Sequence, residues 1–397
     1  MMEAIRVGEF GRFTAPPNPW VGCVLANGGS IIGIGFHAKA GKPHAEIMAF
    51  LDAERKGNAH LIKGCTAYVT LEPCHHFGRT PPCDQEVLRR GVARCVVAIP
   101  DPDSRVDGKG LNLLQSNNID IKVGVCQAEA EKSLAPYLHL RRTGRSYIVI
   151  KSACSLDGKI ACSDGTSQWI TGPESRARVH RIRAESQAII VGSETAVTDN
   201  PMLNVRGVDF PAVNPTLETG TEVAVNEIYV ASDLPLYSAG GDVGRTVKPL
   251  RVVLDARGRV TSGHLLDQTI GPTLIFTTHK APKESLQAWE KAQVEVKLIG
   301  PGEEGGVDLK EVVHVLSSRG IIQILVEGGA LIQNQFMASR LGNKLELFYG
   351  SCFIGHSGRP WAKLNFHENI KDVQFHTLES LQKLGNDVHL TYTLHHT

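Results

Sequence analysis

The first hundred residues alternate short apolar runs with polar breaks, a rhythm that predicts strands and helices in turn. Val21-Gly22-Cys23-Val24-Leu25 and Ile31-Ile32-Gly33-Ile34-Gly35 read as two strands joined through Asn27-Gly28-Gly29, a strong hairpin signal. From Ala45 to about Lys56 apolar residues recur at helical spacing, and Ala67-Tyr68-Val69-Thr70-Leu71 reads as the next strand. A helix over Glu86 to Arg90 stops at Gly91, where a capping glycine belongs, and Cys95-Val96-Val97-Ala98-Ile99 follows as a buried strand. Strand, helix, strand, helix, strand is the pattern of an α/β layer.

The pattern restarts at Tyr147-Ile148-Val149-Ile150-Lys151, after the basic segment Arg141-Arg142-Thr143-Gly144-Arg145. This predicts a domain of residues 1–145 and a second of 146–397. Further strands are expected at Ala188 to Val191, Leu250 to Leu254, Thr273 to Phe276, Ile322 to Val326 and Lys344 to Tyr349. Residues 208–248 are rich in Pro, Gly, Thr and Val without helical period and read as an irregular excursion.

Composition narrows the class. A chain of 397 residues is long enough for two domains, and 42% hydrophobic with 21% charged residues describes a chain that buries a core. With 42 Lys plus Arg against 41 Asp plus Glu there is no surplus positive field, which argues against a nucleic-acid partner. Nine cysteines without dense spacing point to a reducing compartment. No apolar run approaches 18 residues, so a cytoplasmic enzyme with no membrane association is expected.

Chemistry concentrates first at His44-Ala45-Glu46, Pro73-Cys74 and Cys83, which fall at strand and helix edges. One imidazole and two thiolates leave the fourth tetrahedral position of a zinc ion open for water, the arrangement of a catalytic site. Such a water ionises near neutral pH, and a carboxylate two residues from the His ligand, Glu46, can carry its proton to departing ammonia. His-x-Glu followed by Pro-Cys and a second Cys is the zinc deaminase signature, here with eight residues between the cysteines where the usual gap is two.

That widened segment, Cys74-His75-His76-Phe77-Gly78-Arg79-Thr80-Pro81-Pro82-Cys83, resembles closely the bifunctional riboflavin-biosynthesis deaminase-reductases, whose pattern is Pro-Cys-x-His-x-Gly-[Arg/Lys]-Thr-Pro-Pro-Cys. The resemblance runs from Asn18-Pro19 to the glycine loop at Glu327. It implies a cytidine-deaminase-like zinc domain followed by an α/β domain similar to dihydrofolate reductase, hydrolase and oxidoreductase in one chain. The implied substrate is 2,5-diamino-6-(5-phosphoribosylamino)pyrimidin-4-one, deaminated at its 2-amino group. Asn18, His37, His76, Arg79, Asp101 and Asp103 match the positions that hold its base and ribose phosphate. Asp103-Ser104 departs from the family's Asn-Pro, and an Asp for an Asn removes a donor and adds charge near a phosphorylated ligand. His75 departs from a small polar residue and stands beside a ligand cysteine.

In the second half, Lys151 to Ile160 reads as a strand that breaks at a turn and resumes, followed by Ser167-Gln168-Trp169. On pattern alone, a ligand-facing edge and a hairpin tip with polar cover are equal readings. Val326-Glu327-Gly328-Gly329 ends a strand before a helical Ala330 to Ser339, so backbone amides can approach a pyrophosphate there. No Gly-x-Gly-x-x-Gly stands at such a junction, which agrees with a non-Rossmann reductase. The resemblance implies that Ala153, Trp169, Thr195, Asp199, Gly328 and Gly329 contact NADPH. It implies equally that Ser167, Arg183, Leu203, Arg206 and Glu327 hold the substrate, both arginines facing its phosphate. The product is a ribityl chain. By analogy the family associates through its reductase domain, and Lys344 to Tyr349 is the strand considered for a homo-oligomer contact. The rivals are a nucleic-acid base deaminase, which normally keeps the short cysteine gap, and a zinc-stabilised binding module, which needs four protein ligands and no Glu46.

Overall fold

The computed structural model describes residues 1–75, 81–103, 106, 108–208, 248–302, 305–363 and 369–395. The excursion expected at 208–248 therefore lies almost wholly outside the described residues. The described chain divides between Gly144 and Arg145 into two compact units. No described helix is long and apolar enough to cross a membrane.

In the first unit, helix α1 (Met2–Gly8) precedes β1 (Gly22–Asn27) and β2 (Ser30–Phe36), which pair antiparallel through the two-residue Gly28-Gly29 turn. Helices α2 (Ala45–Arg55) and α3 (Ala59–Ile62) lead to β3 (Thr66–Leu71), then α4 (Cys83–Arg89) to β4 (Arg94–Ile99). Helix α5 (Lys109–Ser116), strand β5 (Asp120–Val123) and helices α6 (Gln127–Ser133) and α7 (Ala135–Thr143) complete it. The sheet order is β2-β1-β3-β4-β5, with β3, β4 and β5 parallel. Strand β1 alternates faces: Cys23 and Leu25 join the core with Phe50 of α2, while Val24 packs with Ala4 and Val7 of α1. Both faces being covered, the strand reads as continuously apolar. Helix α2 sits directly on β2, where a Cβ on Gly35 would meet Ala49 N at 2.3 Å and Ala45 O at 2.4 Å. Glycine at that position fixes the first turn of α2, and so His44 and Glu46, against the sheet.

The second unit opens with β6 (Tyr147–Cys154) and the short β7 (Lys159–Ala161). Then come α8 (Pro173–Glu185), β8 (Ala188–Gly192), α9 (Ser193–Asp199), β9 (Leu250–Leu254), β10 (Thr273–Thr277) and α10 (Lys283–Lys291). After β11 (Glu295–Leu298), α11 (Leu309–Ser318), β12 (Gln323–Val326) and α12 (Ala330–Ala338) the chain forms β13 (Lys344–Tyr349), β14 (Arg359–Pro360), β15 (Thr377–Leu384) and β16 (Asp387–Thr393). Among the described residues one sheet has the order β11-β10-β9-β8-β12-β6-β13-β16-β15. Strands β11 through β13 in that order are parallel, and the C-terminal hairpin adds antiparallel strands. One face packs on Val312 and Leu316 of α11 and Phe336 of α12, the other on Val179 and Ile182 of α8 and Trp289 of α10.

The expected strands are present within a residue or two, except that β6 runs on to Cys154. The helix placed at Glu86 begins earlier, at Cys83, because Pro82 sets its extended entry. One expectation is corrected: Lys344 to Tyr349 is an interior strand, paired with β6 on one side and β16 on the other, so it has no free edge for another chain. That edge belongs to β15.

Candidate functional site

In the first unit three chain segments converge. His44 is the extended residue that enters α2, Cys74 lies just beyond β3, and Cys83 opens α4. His44 Nδ1 lies 3.2 Å from Cys83 Sγ and 3.4 Å from Cys74 Sγ, and the three ligand atoms lie within 4.8 Å of one another. Among the described residues this is the one group of His, Cys, Asp or Glu that could hold a metal ion. The donor set fits zinc: one imidazole nitrogen and two sulfurs, with the Cys83 backbone N–H donating to Cys74 Sγ at 3.3 Å. The hydrogen bond from Cys83 and the neighbouring His44 hold the Cys74 thiol well below its usual range, so it stands ready as a thiolate.

Glu46, in the first turn of α2, is 3% exposed. Burial, reinforced by the charge of Cys74, pushes its carboxyl up to about 7. His37 stands beside the cage, its ring 5.0 Å from that of His44 and edge-on to it. Its Nδ1 is 3.1 Å from Pro43 O, which only accepts, so Nδ1 carries the proton and Nε2 accepts from Asn18 Nδ2 at 3.0 Å. Burial pushes His37 down to about 4, which keeps it neutral.

Asp101 and Asp103 follow β4. Burial pushes Asp101 up to about 6, and it accepts from Tyr137 Oη at 3.3 Å and from the Asp103 backbone at 3.0 Å. The charge of Asp103 faces Arg141 of α7 at 3.6 Å, which explains how an acid is tolerated there. His75 is not part of the group that could hold a metal, and its Nδ1 lies 2.5 Å from the fully buried Asp84. His76 and Arg79 lie outside the described residues. Sequence reasoning missed Glu72, a buried carboxylate that accepts from the backbone of Asp101, Gly108 and Leu111 at 3.2–3.4 Å and so ties the Cys74 loop to the Asp101 loop. Its place directly before Pro73-Cys74 was the available signal. Tyr137 and Arg141 carried none.

In the second unit a cleft of about 2000 Å³ opens at the C-terminal ends of β6, β12, β8 and β9, the end of a parallel sheet where ligands bind. Ala153, Trp169, Thr195, Asp199 and Gly329 all line it. So do Ser167, Arg183, Leu203, Arg206 and Glu327. Gly328 does not line the cleft: it packs on Val191 of β8, where an added Cβ would meet the Val191 side chain at 2.8 Å. Trp169 is 69% exposed with the Arg176 guanidinium 4.6 Å over its ring.

Arg183 does not present an open fork. Its Nε and Nη2 donate to the two carboxylate oxygens of Glu327 at 2.5 and 2.7 Å, and Nη1 donates to Asn204 O at 3.1 Å. Burial opposes the charge on Glu327, yet the Arg183 guanidinium overrides it and holds that carboxyl below its usual range. Lys151, missed as a site residue, lies beside this pair, its ammonium pushed down by burial. His180 stands there too, pushed down to about 4 by burial and by Arg183 and Arg206, and accepts from the Arg206 backbone N–H at 3.2 Å.

Comparison with known proteins agrees with both halves. Residues 146–390 match the RibD C-terminal domain, and residues 1–99 match the cytidine and deoxycytidylate deaminase zinc-binding region. The Riboflavin biosynthesis protein RibD of Chlamydia pneumoniae is 38% identical over 99% of this chain and 94% of its own length. That of Escherichia coli is 36% identical over 98% and 96%. Among solved structures, Acinetobacter baumannii RibD superimposes with a TM-score of 0.80 at 31% identity, covering 99% of this chain and 97% of that one.

Proposed function

The chain belongs to the RibD family of bifunctional riboflavin-biosynthesis enzymes, a zinc deaminase joined to a dihydrofolate-reductase-like reductase, and from this premise we propose how its residues divide the work. Residues 1–145 hydrolyse the 2-amino group from 2,5-diamino-6-(5-phosphoribosylamino)pyrimidin-4-one, and residues 146–397 reduce the ribosyl side chain of the product to ribityl with NADPH. The observation that carries this reading is the three-donor cage beside a buried glutamate whose carboxyl is poised near 7.

His44, Cys74 and Cys83 would hold zinc, which supplies, when bound, a water that ionises near neutral pH. Glu46 takes the proton from that water and delivers it to the leaving ammonia, since a carboxyl near 7 can both accept and donate. The Asn18–His37 pair orients the base, and neutral His37 adds no charge against the metal. Asp101 and Asp103 bound the ribose side, where Arg141 balances the second acid. His76 and Arg79 are assigned to the ribose phosphate.

In the reductase NADPH supplies, when bound, the hydride for C1 of the ring-opened ribose. Ala153, Trp169, Thr195, Asp199 and Gly329 flank the cofactor, and Gly328 serves it indirectly by bringing the Gly329 loop close to β8. Ser167, Leu203 and Glu327 hold the pyrimidine. The exposed Arg206 takes the substrate phosphate, while Arg183 acts by fixing Glu327. We assign the active form to a homo-oligomer through residues 146–397, supported by the exposed apolar side chains Leu378, Leu381 and Val388 beside the β15 edge. The near-neutral charge speaks for small-molecule partners without nucleic acid, and nine unpaired cysteines for the cytoplasm.

The test supplies the purified protein with the diaminopyrimidinone ribosyl phosphate and follows NADPH absorbance. Consumption that requires intact His44, Cys74 and Cys83 supports sequential catalysis. Consumption indifferent to those residues overturns it.

A further inference from the structure

Gln333 lies on α12 and is only 4% exposed, yet its side-chain amide is committed to two main-chain oxygens of the sheet. Its Nε2 donates to Lys151 O at 2.7 Å and to Glu327 O at 3.2 Å. The parallel ladder between β6 and β12 ends at the pair Ile150 and Val326, and β12 stops there. Lys151 and Glu327 are the next residues of the two chains. The Glu327 backbone N–H turns the other way, to Ile190 O of β8 at 3.0 Å, and so gives no rung to β6. A primary amide carries two N–H donors on one nitrogen, and here each meets one carbonyl and closes the gap. Oε1 of the same side chain has no partner among the described residues. A buried amide oxygen without a hydrogen bond is unfavourable, so the donors and not the acceptor account for glutamine at this position.

Gln333 reaches the main chain from one face of the sheet, while the charged side chains leave from the other. Ile150 and Val326 pack with Phe336 of α12, whereas Val149 and Leu325 pack with Val179 of α8. Alternation along the strands therefore sends the Lys151 and Glu327 side chains toward α8, where Arg183 holds the Glu327 carboxylate through two hydrogen bonds. Each of the two charges acts on the other, and both residues line the cleft. Their spacing depends on two backbones that no ladder bond joins at this point and that one amide does. The Gln333 N–H also donates to Gly329 O at 3.3 Å in the first turn of α12, so the clamp is seated directly on the glycine loop.

We infer that Gln333 is a positioning residue of the reductase: its amide holds the ends of β6 and β12 in register, and with them the Lys151 and Glu327 side chains that face the bound pyrimidine. This rests on the reading of the cleft as the site that reduces the ribosyl pyrimidine.

The full chain is assayed for NADPH oxidation with the deaminated uracil ribosyl phosphate, and NADPH affinity is measured separately by calorimetry. Gln333→Met keeps the length of the side chain and removes both donors. Its kcat for reduction falls roughly 10- to 100-fold, the scale of a misplacement of about 1 Å, and KM for the pyrimidine moves less. NADPH affinity and the deamination rate stay at their wild-type values. Gln333→Glu separates holding from filling. Burial keeps its carboxyl protonated at about pH 6, which leaves one O–H donor for the two carbonyls, so this variant reduces faster than Gln333→Met. A side chain that only fills space gives the reverse order, because Met is the apolar one. Gln333→Met with wild-type kcat, or no slower than Gln333→Glu, overturns the assignment and leaves the reductase reading standing. A loss confined to KM, or NADPH affinity lost in both variants, overturns it as well, giving Gln333 to binding or to the fold of the unit. A wild-type chain that oxidises no NADPH with the uracil compound overturns the reading of the cleft, and the assignment with it.

Discussion

Replacing Arg183 by Met tests whether the arginine is a structural partner of Glu327 or a free phosphate ligand. Met keeps much of the side-chain stem and removes the guanidinium. The side chains of Arg183 and Glu327 are 14% and 8% exposed, and two hydrogen bonds of 2.5 and 2.7 Å join them. Taking away one member of a buried pair costs about 3–5 kcal/mol, because a charge is left without its partner. Lys151 still lies close to Glu327, so the lower end, about 3 kcal/mol, is expected. Arg183→Met/Glu327→Met should cost less than the sum of the single variants, with a coupling of about 2 kcal/mol. Glu327 is held below its ordinary 4.5, so its contribution is present above that value and is lost as pH falls through the depressed one. The penalty of Arg183→Met should therefore shrink as pH falls below the ordinary carboxyl value of 4.5. Urea unfolding followed by tryptophan fluorescence, fitted with a separate transition for each unit, measures this. The deamination rate reports that the first unit is intact. Additive single and double effects, or an Arg183→Met chain as stable as the wild type, would refute the pairing and return Arg183 to the substrate phosphate.

Other perturbations have equally definite outcomes. Glu46→Gln should leave zinc content unchanged by metal analysis while deamination drops at least about 100-fold; unchanged turnover removes Glu46 from the mechanism. Asp101 is pushed up to about 6, so the folded chain holds that proton more tightly than the unfolded one and stability falls as pH rises from about 4 to 6. Asp101→Asn should flatten that fall in a pH series of melting temperatures and gain up to about 3 kcal/mol at pH 7, while slowing deamination. Chelation of zinc should abolish deamination and leave reduction of the pre-deaminated uracil intact. Trp289→Ala, at a fully buried indole, should cost about 3–5 kcal/mol of unit stability in the same urea assay.

The cage residues were legible because metal chemistry restricts residue type and order, and each of them sits at an element boundary that the apolar pattern already marks. The interior parallel strands were legible because burial on both faces makes them continuous runs of Val, Ile and Leu, whereas the exposed edge strands β5 and β11 carry no such run and were not expected. The C-terminal hairpin was not, and the reason is physical. Its inward side chains are Asp387, His389 and Thr391, exposed by 3%, 1% and 5%, facing the equally buried Glu346 of β13. Gly172 N and Ser175 Oγ donate to Asp387 Oδ2 at 2.7 and 2.6 Å, Thr391 Oγ1 donates to Glu346 Oε2 at 3.1 Å, and His389 Nε2 bonds the same oxygen. A strand whose inner face is polar, while Leu378 and Leu381 of its partner point outward, inverts the code that pattern reading uses. Long-range pairs are hidden in the same way. Arg141 answers Asp103 across 38 positions of chain and Glu327 answers Arg183 across 144, so each residue looks like an unattached charge in the sequence. The family resemblance read Arg183 as a phosphate contact, and nothing in the sequence set Glu327 against it. Folding supplies the missing partner.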